Sequence, residues 1–208
     1  MPAPDSNVPP GAGERRFIRH HARRRLGLDS AGPDSAGPDS ASLIVLHRGP
    51  MAPRSGIDTI ILGLGLLQRR HGVSAALLAV EETSGDPGGS AGAERARLRQ
   101  LARELGIETQ VHFMAGDSSG DCLAASDVLV SMPWCPRRDA ARPAAMCRIQ
   151  PAPEPDAGHD TGAVIDGVTG WLIRPRDAEA LADRLARLQR HASLAPTLRA
   201  AGLSWVPA

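Results

Sequence analysis

From residue 43 onward, short apolar runs alternate with longer amphipathic stretches. That alternation restricts the chain to a mostly parallel sheet covered by helices. Leu43-Ile-Val-Leu-His47 and Ala75-Ala-Leu-Leu-Ala-Val80 are continuous apolar runs, as strands buried on both faces require. Thr109–Phe113 and Asp127–Ser131 supply two more strands, and Val164–Ile173 reads as strand, tight turn, strand. Three helices fall between and after these runs. The first is expected from Asp58, as its N-cap, to about His71, with Ile60, Ile61, Leu64 and Leu67 on one face. Gly63 and Gly65 lie inside it and each weakens it by ~1 kcal/mol relative to Ala. The second runs from Ala93 to Leu105, where Leu98, Leu101, Ala102 and Leu105 share a face and Gly106 supplies the stop. The third starts at Asp177 and ends near His191, with Leu181, Leu185 and Leu188 turned inward. The expected fold class is α/β, a Rossmann-like doubly wound parallel sheet.

The segment before residue 42 has another texture. Residues 1–14 are rich in Pro, Gly and small polar groups, the composition of a disordered segment. Arg15 to Arg25 is a basic stretch, expected as a solvated helix with a small apolar stripe of Phe17, Ile18 and Leu26. Residues 29–40 repeat a five-residue Asp-Ser-Ala-Gly-Pro unit, too short a period for a solenoid layer and therefore a linker. The expected organisation is a disordered, basic segment with linker over 1–41 and one folded domain over 42–208.

Composition excludes several functions. Aromatic residues make up 2% of the 208, and the net charge is +1, so base-stacking platforms are nearly absent and no global pull on nucleic acid is expected. All 24 basic residues are Arg. Cys122, Cys135 and Cys147 form no Cys-x-x-Cys pair and no zinc spacing with histidine, and His20-His21 and His159-Asp160 read as surface polar sequence, so no metal site is expected. The Gly85–Gly92 loop lacks the Lys-Ser/Thr ending of a P-loop, and no Gly-x-Ser-x-Gly turn exists for a hydrolase. Without a run of ~18 apolar residues or a signal-peptide order at the amino terminus, the expected location is cytoplasmic.

Four stretches carry a family resemblance. Gly49 to Asp58, followed by an Ile-rich helix, resembles the first turn of retaining glycosyltransferases with the GT-B fold (glycosyl transferases group 1). Leu98 to Ile107 is similar to their helix before the third strand, and Ala125 to Trp134 to the strand and Pro-Trp that lead into their catalytic loop. Val164-Ile-Asp-Gly-Val-Thr-Gly-Trp-Leu-Ile-Arg-Pro-Arg-Asp-Ala-Glu-Ala-Leu-Ala182 is the most specific match. The resemblance covers about residues 42–190 and implies the carboxyl-terminal, donor-binding half of such an enzyme. It implies a nucleotide-sugar as ligand, no further cofactor, and a separate acceptor-binding domain or protein as partner.

The resemblance also implies a donor site, and the sequence departs from it there. In the family an Arg and a Lys of the first turn hold the diphosphate, whose charge needs cations as the leaving group departs. Those positions fall on Pro50 and Ser55 here, and neither residue carries charge. The paired Glu positions fall on Pro136 and Ala144, leaving Ala145-Met146 of the helix start that carries the second. Asp139 and Glu154 are the nearest carboxylates. A buried strand should follow, yet Pro151-Ala-Pro-Glu-Pro155 removes ladder donors, so a loop and a gapped or narrowed sheet are expected. Glu81-Glu82 would repel a diphosphate nearby. No catalytic residue is assigned. Residual donor binding is expected from Gly49, Arg54, Ser55 and Gly56, from the loop around Met146, and from the region near Gly158. The alternative is a non-catalytic interaction module, or a degenerate gene product on the same scaffold, with Arg15–Arg25 as a possible contact.

Overall fold

The computed structural model describes residues 12–28, 43–81, 90–116, 119–134, 147–151, 164–191, 193–194 and 196–198. The elements in chain order are α1 (Ala12–Arg25), β1 (Leu43–Gly49), α2 (Ile57–His71), β2 (Ala75–Glu81), α3 (Ser90–Glu104), β3 (Val111–Met114), α4 (Ser119–Ala125), β4 (Val128–Ser131), β5 (Cys147–Pro151), β6 (Trp171–Ile173) and α5 (Ala178–Arg190). The six strands form one sheet in the order β3-β2-β1-β4-β5-β6. The first four are mutually parallel, while β5 is antiparallel to both β4 and β6.

Alternation along β1 and β2 sends side chains to two separate cores. Leu43, Val45, Leu77 and Ala79 face a core completed by α2, α3 and α5. Ile44, Leu46, Leu78 and Val80 face a second core with Ala22 of α1 and Cys122, Leu123 and Ala125 of α4. The sheet is therefore wound on both faces, as the unbroken apolar runs required. Burial pushes the Cys122 thiol up to about 11, so it behaves as a small core residue rather than a nucleophile.

Helix α2 starts one residue before Asp58. Its N-cap is Gly56, in the left-handed conformation at φ 89°, so Asp58 is not the cap expected from the sequence. The Asp58 carboxylate instead accepts from the Thr59 amide at 2.8 Å and from the Trp134 indole at 3.2 Å. Gly63 explains itself by packing: a Cβ there would stand 2.7 Å from Leu181 Cδ2 and 3.3 Å from the Ala178 carbonyl of α5. The helix propensity lost at Gly63 is offset by the close approach of α5, whose Leu181, Leu185 and Leu188 fill the core beside Ile60, Ile61 and Leu64. Each fully buried Leu or Ile there contributes about 1.5–3 kcal/mol. Asp177 caps α5 by accepting from Ala180 N at 2.9 Å, as expected.

One expectation is corrected, while the loop expected over the proline cluster falls at residues 152–155, outside the described residues. No gap separates β4 from β6, because Cys147–Pro151 forms β5 between them, pairing Ser131 with Arg148 and Val128 with Pro151. Donors upstream of the proline cluster supply the ladder, and Pro151 sits at the end of the strand, where one missing N–H costs least.

The basic amino-terminal stretch differs from the solvated helix expected. Within the 1–41 segment set apart by composition, α1 docks through Ala22, and Leu26 and Leu28 just after it, on the second core. Arg19 and Arg23 bind the two carboxylate oxygens of Asp127 at 2.9 and 2.7 Å, and Arg23 also donates to the Ala125 carbonyl at 3.0 Å. Asp127 in turn accepts from the Ile44 amide at 2.9 Å. One carboxylate thus ties α1 to the start of β1. Phe17 of the expected apolar stripe is instead exposed, stacked on His21 at 6.3 Å.

Candidate functional site

The strand order reverses at β1. The chain leaves β1 toward β2 and β3, then jumps back across β1 to β4. In open parallel sheets such a reversal leaves a crevice between the diverging connections, at the carboxyl ends of the two strands. Here those ends are Gly49 and Ser131. Because β6 runs parallel to β4, the amino termini of α2 and α5 meet the same edge, where their dipoles favour anions.

The first turn, Pro50 to Gly56, closes onto the end of β4. At Gly56 a Cβ would fall 1.6 Å from the Met132 carbonyl oxygen, so only glycine allows this approach. Arg54 stands at φ 68°, and its carbonyl accepts from Trp134 N at 3.1 Å. Ser55 N bonds the Ala52 carbonyl at 3.1 Å, holding a tight turn. Of the residues assigned from the sequence, Gly49 ends β1 at the crevice, and Arg54, Ser55 and Gly56 follow it in this turn. Met146 and Gly158 lie outside the described residues, as do Pro136, Ala144, Asp139, Glu154 and Glu82.

Trp134 is the centre of this edge, and the sequence reading used it only as a landmark. Its indole N–H donates to Asp58, and the Arg176 guanidinium lies over its ring, 4.4 Å from the centroid. Asp58 is also reached by Arg97 of α3 at 3.5 Å, and Arg97 pairs with the buried Glu94 at 2.6 Å. Donating to the Glu94 carboxylate raises the pKa of Arg97. The carboxylates on this face are thus engaged. Glu81, at the end of β2, is paired with Arg95, so its charge is compensated rather than left facing the crevice. His47 is buried in β1, with Nδ1 3.1 Å from the Val130 carbonyl.

A separate open cavity of about 520 Å³ lies along α5, lined by Ala180, Asp183, Arg184, Arg187, Arg190 and His191. It runs toward the carboxyl end of α5, away from the strand ends, so the topology and not this cavity locates the candidate site. Among the described residues no three His, Cys, Asp or Glu side chains gather as a cation site. No helix among them is long and apolar enough to cross a membrane.

This architecture is the fold of the carboxyl-terminal domain of group 1 glycosyltransferases. The chain superposes on the carboxyl-terminal domain of a glycosyl transferase group 1 family protein from Francisella tularensis with a TM-score of 0.58, covering 88% of each chain at 13% identity. A TM-score of 0.53 at 15% identity relates it to Staphylococcus aureus TarM, solved in complex with UDP, over 77% of this chain and 31% of that one. In sequence it is 29% identical to a D-inositol 3-phosphate glycosyltransferase of Nocardia farcinica over 95% of this chain. The chain spans 44% of that relative's length. No protein-family profile matches the chain. The resemblance read from the sequence is borne out in both fold and relatives.

Proposed function

We propose that this chain is a nucleotide-sugar-binding domain of glycosyltransferase type, which holds a donor at the β1–β4 crevice and does not transfer sugar by itself. The observation that carries this reading is the first turn of Gly49–Gly56, locked onto Met132 and Trp134 at the switch point of a sheet with the group 1 carboxyl-terminal fold. A ligand there would meet backbone of the turn and two helix amino termini, an arrangement suited to a phosphate-bearing molecule. Against transfer stand Pro136 and Ala144, which can neither accept a sugar hydroxyl nor bear charge. Acceptor binding would fall to a separate domain or protein.

The losses at Pro50, Ser55, Pro136 and Ala144 also favour a second reading, a non-catalytic module that keeps the scaffold to contact a partner. Thermal unfolding with and without UDP-, GDP- and ADP-sugars separates the two. A donor at tenfold excess over its Kd stabilises the folded state by about 1.4 kcal/mol. A raised melting temperature with one nucleotide-sugar, and none with the free sugar, supports donor binding. An unchanged melting temperature with all three favours the interaction module.

A further inference from the structure

We propose that Arg54 and Arg176 together form the cation clamp for the diphosphate of the ligand, converging on Trp134 from two different loops. The inference rests on the donor-binding reading above and names the groups that replace the charges missing at Pro50 and Ser55.

Among the described residues only two non-glycine positions have a left-handed backbone, and both are arginines: Arg54 at φ 68° and Arg176 at φ 64°. A side chain is disfavoured in that conformation, where glycine sits without penalty. Both are placed against the same residue. The Arg54 carbonyl holds the Trp134 amide, and the Arg176 guanidinium covers the Trp134 ring. Arg54 lies between β1 and α2, and Arg176 between β6 and α5, so two loops far apart in sequence bring two arginines to one edge.

Neither guanidinium makes an ion pair among the described residues, in contrast to Arg19, Arg23, Arg25, Arg70, Arg95, Arg97 and Arg103. The neighbouring acids are already engaged, Asp58 by Trp134, Thr59 and Arg97, and Asp177 by the amide of Ala180. The contact with Trp134 holds the Arg176 side chain in place before ligand arrives, which lowers the ordering cost of binding. Planar guanidinium groups donate paired N–H bonds to phosphate oxygens, and a diphosphate offers several such oxygens to two arginines.

The test uses the full chain with R54G and R176G. Glycine suits both backbones, so these variants remove charge without adding strain, and a melting curve verifies that each folds. Calorimetric titrations use inorganic pyrophosphate and UDP, GDP and ADP. Each variant is expected to weaken pyrophosphate and the preferred nucleoside diphosphate by about tenfold or more. If a nucleoside diphosphate binds wild type and both variants equally, the clamp is overturned while the donor reading stands. If pyrophosphate binds through the arginines and no nucleoside diphosphate binds more tightly, the clamp stands and the donor reading falls. If wild type binds none of the four, both are overturned.

Discussion

Replacing Gly56 by alanine tests the contact that shapes the crevice, and the other end of the same helix supplies the control. Gly56 and Gly72 both have left-handed backbones, at φ 89° and 66°, and cap the two ends of α2. A methyl group at Gly72 meets nothing within 4 Å, so Gly72→Ala carries only the conformational cost, about 1–2 kcal/mol. A methyl group at Gly56 meets the Met132 carbonyl oxygen at 1.6 Å and its carbonyl carbon at 2.3 Å. Ordinary contact lies near 3.5 Å, so the first turn and the end of β4 must part by about 2 Å. Such enforced backbone shifts cost about 1–3 kcal/mol and occasionally more, on top of the conformational cost. Gly56→Ala is therefore expected to lose about 2–5 kcal/mol. Urea denaturation of both variants, with unchanged slopes, gives the comparison directly. A Gly56→Ala protein no less stable than Gly72→Ala would refute the claim that this turn is seated on β4.

Three further outcomes are expected. Asp127→Ala should cost about 2–3 kcal/mol, because it strands the Ile44 amide and two arginines, whereas Asp127→Asn keeps an acceptor and loses less in the same denaturation assay. His112 is half-buried on β3 and burial lowers its pKa, so the unfolded chain takes up a proton at higher pH than the folded one. Its contribution is complete above about pH 6.5 and is lost as pH falls through the lower folded value. Melting curves should therefore decline less from pH 7 to 5 in His112→Gln than in wild type. The pair Pro136→Glu and Ala144→Glu should tighten nucleotide-sugar binding by about 3–10-fold, and a folded double variant with no gain would show that the donor positions were misaligned.

Much of this architecture was legible because burial on both faces leaves a plain signature. The apolar runs at Leu43 and Ala75 marked β1 and β2 within two residues of their ends, and Leu181, Leu185 and Leu188 marked α5. Other features depend on contacts that no local pattern reports. Gly63 reads as a weak point in a helix until α5 is seen against it. Asp58 reads as a cap because its residue type favours caps, but the approach of Gly56 to Met132 moves the helix start upstream and gives Asp58 to Trp134. Strand β5 was obscured by the prolines from 151 onward, although the residues just before them retain their amide donors. The arginines of α1 looked free because Asp127 lies 104 positions beyond Arg23. At the site, the first turn was readable from its resemblance, while Arg176 was not, since its proposed role depends on a left-handed backbone and a distant indole.

The central claim is that the β1–β4 crevice holds a nucleotide-sugar. Calorimetric titration of the cooperatively folded chain with UDP-, GDP- and ADP-sugars tests it most directly. The account predicts one-to-one binding of at least one donor with a Kd at or below ~1 mM, equivalent to about 4 kcal/mol. The absence of binding heat from all three, with a chain that melts in a single sharp transition, would contradict it.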